Sequence, residues 1–371
     1  MDASLLVDAR ALQLGGIGRY LREILPRILA APEFRRIALL GNVQELQAFA
    51  SGHPSPATLE IIPHPGPLYS LRSQWSWARL RFSGRAAASV AFFPHWDAPL
   101  ALLPARSVVT VHDLIHFRVP DAFPAWRRPA AGAVFRRVIS RAARVIVDSD
   151  RTGQDLVEFV PDARDALRVI PLGVSAAFHP LEAEERVRLP VREPFLLCVG
   201  NKKRHKNLGA AVDALARLLP SHPELQLVVA GQPYAGWNDV LARATERGVR
   251  THLLDVPAVS DAVLRVLYGR CAAFLFPSRY EGFGLPVLEA MACGAPVVAS
   301  NTSSVPEVAG QAALLFDPGD VAGMTSAVDR LLTEPAYRAT LTRLGLDRAS
   351  EFSWDRTASR TLGVLQEAMA R

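Results

Sequence analysis

Phe276–Pro306 reads F-P-S-R-Y-E-G-F-G-L-P-V-L-E-A-M-A-C-G-A-P-V-V-A-S-N-T-S-S-V-P. The apolar run CAAFLF leading into it predicts a buried strand, and Pro277, Ser278, Gly282 and Gly284 predict a loop after that strand. LPVLEAMAC, apolar with a helical period, predicts a helix next. Pro286 suits the first turn of that helix, where a missing N–H costs nothing, and the two glycines let backbone approach a ligand closely. Glu281 in the loop and Glu289 in the helix, eight positions apart, flank the helix N-terminus.

A helix end facing negative charge, with carboxylates beside it to accept from hydroxyls, fits a sugar joined to a nucleoside through phosphates. E-G-F-G-L-P-V-L-E resembles the Glu, seven residues, Glu signature of retaining glycosyltransferases, and with its flanks resembles glycosyltransferase family 4 of the GT-B fold. G-G-I-G-R-Y, T-V-H-D-L-I-H-F, V-G-N-K-K-R-H-K-N and F-S-W match the same family in order, so the resemblance covers nearly the whole chain. The alternative for Glu281 and Glu289 is a solvated loop carboxylate and a helix-face charge.

At 371 residues, half of them hydrophobic, the chain is long enough for two domains with a core each. It shows no run of 18 or more uncharged apolar residues and no signal-peptide layout, so it is expected in the cytosol. Cys198, Cys271 and Cys293 lie far apart in apolar or helical contexts and are expected to be reduced core residues. Residues 1–170 hold 21 arginines and no lysine against 15 acidic residues, which is the whole of the net charge of +6. No nucleic-acid motif or aromatic interleaving accompanies these arginines, so nucleic acid is not expected as a partner; a weak peripheral attraction to anionic membrane headgroups or phosphate-bearing acceptors fits better. All three lysines of the chain, Lys202, Lys203 and Lys206, fall within five positions. Coding bias explains the scarcity but not the clustering, which a phosphate site explains because Lys acts there as a compact point charge.

Strands and helices alternate along the first half, which predicts a doubly wound α/β sheet whose ligands bind beyond the carboxyl ends of the strands. Gly15, Gly16 and Gly18 look like a dinucleotide fingerprint, but Leu21 stands where its third glycine belongs, and no acidic residue ends a second strand. Resemblance places Gly16 at the donor instead. His95, Trp96, Asp97, His112, Asp113, His116 and Arg118 collect after two strands and are expected to line the acceptor side, with His112 as candidate for a donor-sugar hydroxyl; a polar loop with His112 satisfied by backbone is the competing view. Asp148-Ser149-Asp150 spells a metal-holding D-x-D, yet Ser149 is more simply a helix N-cap and Asp150 a first-turn charge, so no metal or other cofactor is expected.

The proline-rich stretch 176–194 predicts a linker between an N-terminal domain (1–175, completed by a helix from about 354 to 371) and a C-terminal donor domain (195–353). Together these readings predict GT-B architecture: two Rossmann-like domains with a deep interdomain cleft. After strand FLLCVG, the loop N-K-K-R-H-K and the next helix form a second anion-facing corner. By resemblance Lys206 takes the diphosphate, Asn201 and Arg204 lie beside it, Leu254 and Val256 flank the base, and Asp255 replaces a glycine usual there. Glu281 with the N–H groups of Phe283, Gly284 and Leu285 would hold the sugar, and Glu289 the ribose.

The resemblance thus implies a retaining hexosyltransferase, with mannose from GDP-mannose as first donor and a glycan or polyprenyl-diphosphate-linked glycan of surface polysaccharide as acceptor. A UDP-sugar or another GDP-sugar donor, a nucleotide-sugar epimerase and a non-catalytic GT-B subunit are the alternatives. A pyridoxal phosphorylase would need a lysine away from the phosphate corner.

Overall fold

The computed structural model describes residues 3–64, 68, 70–82, 88–99, 103–119, 125–182, 191–232, 234 and 236–370. The chain divides into two compact units, one built from Met1–Phe117, Phe123–Gly173 and Trp354–Arg371, the other from Val174–Ser353 with the short stretch Arg118–Ala122.

The first unit is a parallel sheet of seven strands, β1 (Ser4–Asp8), β2 (Arg36–Gly41), β3 (Thr58–Pro63), β4 (Val90–Phe93), β5 (Ser107–Val111), β6 (Arg144–Val147) and β7 (Leu167–Val169), in the order β3-β2-β1-β4-β5-β6-β7. Central strands such as VAFF and SVVTV are buried along their whole length, as a parallel sheet covered by helices on both faces requires. One face packs Leu6, Phe93, Val109 and Val147 against Phe135, Val138 and Leu156 from the covering helices. The expected cap is present: the Ser149 side chain accepts from the Thr152 N–H and starts helix Asp150–Phe159. Gly18 in helix Gly15–Leu29 has a steric cause that its motif did not reveal. A Cβ there would lie 2.6 Å from the Leu12 carbonyl oxygen, so only glycine lets the entering loop fold down on the helix.

The last helix, Trp354–Met369, belongs to this first unit. It buries Trp354, Val364 and Leu365, Thr357 donates to the Pro171 carbonyl, and Glu367 accepts from Arg144 and Arg168.

The second unit is a parallel sheet of six strands, β8 (Phe195–Val199), β9 (Gln226–Ala230), β10 (Leu253–Val256), β11 (Ala273–Phe276), β12 (Val297–Ser300) and β13 (Ala313–Phe316), ordered β10-β9-β8-β11-β12-β13. Both sheets therefore reverse their winding once, between β1 and β4 and between β8 and β11, and each is Rossmann-like. The stretch expected to be a linker is packed where it is described, residues 183–190 lying outside the described set. Phe178 is buried against Tyr268, and Leu181 fills the space over Gly269, so proline content here marked an extended but docked segment. All three cysteines are buried and free, and burial pushes the Cys198 thiol up to about 12. Among the described residues no helix is long and apolar enough to cross a membrane.

Candidate functional site

In the second unit the crossover point lies between β8 and β11, and the loops leaving those two strands carry the lysine cluster and the Glu281 loop. The structure joins them: Lys206 Nζ donates to Glu281 Oε1 at 2.6 Å, with both side chains mostly buried, and lies 5.1 Å from the centre of the Phe276 ring. Gly200, at φ +133°, ends β8 with no side chain, and the Lys206 stem runs over it. The main chain of the Glu281 loop is pinned from the other side. Ser303 and Ser304 donate to the Glu281 carbonyl, and Ser304 donates to that of Phe283 at 2.7 Å. Gly284, at φ +116°, then turns the chain into helix Leu285–Ala292, with Pro286 in its first turn. The first N–H groups of a helix have no partners within it, so this end offers donors toward the Glu281 loop.

Glu289 is 5% exposed and accepts from the Tyr268 hydroxyl at 3.1 Å, a partner the sequence did not suggest. Phe283 is buried, 6.0 Å ring to ring from Phe352. Asn201 is exposed, and Arg204 is exposed with its guanidinium on Asp239, while His205 is buried and held near pKa 4 by burial and the neighbouring lysines, which outweigh the pull of Glu281. Leu254 and Val256 lie on β10. The three lysines do not act as one cluster: Lys202 is turned inward beneath Asp255 and is far more buried than Lys206.

In the first unit, helix Gly15–Leu29 begins at Gly15, and Gly16 is exposed with open space where a Cβ would be. The crossover between β1 and β4 holds a buried ion network instead of open side chains. Arg10 binds Asp8, donates to the Asp97 carbonyl and lies 3.4 Å from its carboxylate; His95 Nε2 stands 3.4 Å from Asp8. Burial opposes ionisation of Asp8, but Arg10 and His95 hold its carboxyl well below the usual range. His64 joins this group unannounced by any motif, and burial with the Arg10 charge lowers it to about 4. His95 and Asp97 are thus buried, against the expectation that strand-end side chains stand open. Trp96 packs edge-on to Phe135, and His116 stands 6.5 Å from it. Asp113 accepts from the Ile115 N–H, and Arg118 is exposed.

Both ring nitrogens of His112 are engaged: Nδ1 with Asp148 Oδ2 at 2.7 Å, and Nε2 with the Pro94 carbonyl at 2.9 Å. Two acceptors call for two N–H donors, which is the imidazolium. Burial alone would lower His112, but Asp148 and the Pro94 carbonyl raise it above the ordinary histidine value; burial likewise raises Asp148 against the pull of His112. Asp148, the first residue of the D-x-D, is therefore a histidine partner. Because the folded state holds the His112 proton more tightly than the unfolded chain, the pair's contribution is complete below about pH 6.5 and fades as pH rises through the raised value. Thermal melts should show wild type losing its advantage over Asp148→Asn as pH climbs above 6.5; a gap independent of pH would exclude a charged pair.

The stretches of chain that hold these sites match known family models. Residues 14–178 match the model for Glycosyltransferase Family 4, and residues 182–345 match that for Glycosyl transferases group 1. The O-antigen chain mannosyltransferase B of Escherichia coli is 30% identical over 368 residues, covering 95% of this chain and 96% of that one. The chain belongs to glycosyltransferase family 4. This glycosyltransferase is also 32% identical over 247 residues to the D-inositol 3-phosphate glycosyltransferase of Acidothermus cellulolyticus, covering 63% of this chain and 55% of that one. Its fold is shared with sucrose-phosphate synthase from Thermosynechococcus elongatus, at a TM-score of 0.81 and 23% identity over 99% of both chains. The GT-B class of two Rossmann-like domains is thereby established for this glycosyltransferase.

Proposed function

We propose that this glycosyltransferase moves a hexosyl group, mannose first, from a nucleoside-diphosphate sugar to a glycan or lipid-linked glycan, with retention at the anomeric carbon. The observation that carries this reading is the Lys206 ammonium held 2.6 Å from the Glu281 carboxylate beside a glycine-led helix N-terminus. Lys206 would meet the charge that builds on the diphosphate as it leaves. Glu281 and the backbone N–H groups of Phe283, Gly284 and Leu285 would hold the sugar, Glu289 would accept from the ribose hydroxyls, and Leu254 and Val256 would border the base. The mannosyltransferase name of the relative that spans 95% of this chain supports mannose as the group moved.

A metal has no assigned part in this scheme. Asp148 is committed to His112 and Asp150 stands in the first turn of the helix that Ser149 caps, so both carboxylates of the D-x-D have other places, and the phosphate charge falls to Lys206 and the helix end. No side chain is given the role of covalent nucleophile; attack from the face of the leaving phosphate accounts for retention.

The test is transfer from GDP-mannose to a mannose-ended acceptor glycan, with the new anomeric centre read by NMR in the presence of EDTA. An α-linked product from the α-linked donor is expected, and inversion, a strict metal requirement, or donor epimerised without acceptor would each overturn the scheme. In the same assay Glu289→Ala should raise the donor KM about 10-fold or more at similar kcat, since each hydrogen bond to a charged group contributes roughly 1.5–3 kcal/mol. An unchanged donor KM would remove Glu289 from the ribose.

A further inference from the structure

The chain leaving β12 reads Asn301-Thr302-Ser303-Ser304, and its hydroxyls turn to main-chain carbonyls of the loop that carries Glu281. Thr302 Oγ1 lies 3.3 Å from the carbonyl oxygens of Ser278 and Arg279. Ser303 donates to the Glu281 carbonyl. Ser304 stands between the carbonyls of Glu281 and Phe283, at 3.0 and 2.7 Å, and its single hydrogen favours the nearer. Two serines thus serve two carbonyls. Ser304 is fully buried and Phe283 is 5% exposed, so water does not compete for their bond.

Ser303 makes its contact at a conformational cost. Its φ is +58°, and among the described residues the other non-glycine at positive φ is Asn207. Asparagine tolerates that region far better than serine does, and glycine would make the same turn without strain. Folding of the turn alone therefore does not call for a hydroxyl, and strain kept beside a candidate site points to function. The serines are also braced from behind. They lead into the short helix Val305–Ala309, whose Glu307 and Val308 carbonyls accept from Arg348 at 2.7 and 3.0 Å. The same guanidinium lies 4.7 Å from the centre of the Phe352 ring, which packs edge-on to Phe283.

A trans peptide is planar, and its carbonyl and N–H point in opposite directions. Turning the Phe283 carbonyl to Ser304 therefore aims the N–H of the same peptide, that of Gly284, away from the serines. In the sheet β11 lies between β8 and β12. A loop after β11 that is tied on its β12 side turns its other side toward β8, where Lys206 meets Glu281. We propose that Ser303 and Ser304 are positioning residues for sugar transfer. Ser303 fixes the main chain from which the Glu281 carboxylate projects, and Ser304 fixes the direction of the Gly284 N–H, so that both face the donor sugar. This rests on the donor-site reading above. Neither serine touches the sugar; both act through the loop.

Calorimetry and turnover of the full chain test this. GDP, UDP and ADP are titrated into wild type, and the tightest is paired with its sugar donor, GDP-mannose, UDP-glucose or ADP-glucose. Ser303→Gly keeps the turn and removes the hydroxyl. It should bind the bare diphosphate as wild type does and melt at the wild-type temperature or above, yet lose about 10-fold or more in kcat, because the groups that hold the sugar are no longer aimed. Adding Ser304→Ala should deepen the loss in kcat to about 100-fold, again with the diphosphate bound as before. Ser304→Ala leaves a buried carbonyl without its donor and lowers stability by itself, so Ser303→Gly alone decides the matter where the double variant does not fold. Wild-type kcat in folded Ser303→Gly would overturn the proposal, and so would an equal loss of bare diphosphate binding or a loss that only follows a lower melting temperature. Failure of wild type to bind any of the three diphosphates would instead remove the donor site, and this proposal with it.

Discussion

Lys206→Ala will lower turnover about 10²- to 10³-fold, the effect of removing one preorganised donor to developing negative charge, or roughly 3–4 kcal/mol. The donor KM should move less, because the missing charge matters most when the phosphate leaves. The Lys206–Glu281 contact offers a way to separate this from a folding defect. Truncation leaves the mostly buried Glu281 carboxylate without its cation, which lowers stability by itself. Adding Glu281→Gln removes that stranded charge and should restore the melting temperature of the Lys206→Ala protein, with turnover below that of Glu281→Gln alone, since Glu281 itself is assigned to the sugar. Wild-type turnover in a well-folded Lys206→Ala protein would end the assignment of this ammonium to the leaving group.

Gly231→Ala will unfold the second unit at a markedly lower temperature. A Cβ there would lie 2.0 Å from the Gly200 carbonyl oxygen and 2.6 Å from its carbon, and Gly231 has φ +145°, a conformation side chains rarely adopt. Both objects are backbone, so nothing flexible can yield. Overpacking and strain together should cost on the order of 3–5 kcal/mol, a fall of roughly 10 °C in a unit of this size. Gly248→Ala is the matched control: φ is again positive, at +71°, but nothing stands within 4 Å of the added atom. It should cost only about 1 kcal/mol of conformational strain. Equal melting points for the two variants would show that the approach of β8 and β9 is not sterically limited.

Much of the site was legible because its signals are local. The strand, loop and helix around Glu281 announce themselves through an apolar run, two glycines and a proline at positions where backbone geometry leaves few other choices. Ser149 could be recognised as a cap, since capping concerns a hydroxyl and an N–H three residues on. Contacts between distant segments were not legible. The crowding of three lysines suggested one shared task, yet the structure gives Lys202 and Lys206 different carboxylates, 53 and 75 positions away. For His112 a sugar hydroxyl and a backbone partner were both open, and the carbonyl that its Nε2 faces lies 18 residues back. His95 and Asp97 were expected to stand open, but Arg10 draws on Asp97 across 87 residues, and burial follows from that network.

The amino-acid sequence by itself determined the alternation of buried strands and amphipathic helices, and with it the loops that must carry the chemistry. Period, caps and turn residues act within a few positions, and a covered parallel sheet needs apolar strands that can be read directly. Only the tertiary structure decided which charge faces which. A buried ion exists only with its partner, and the partner is chosen by which strand ends the winding of the sheet brings side by side.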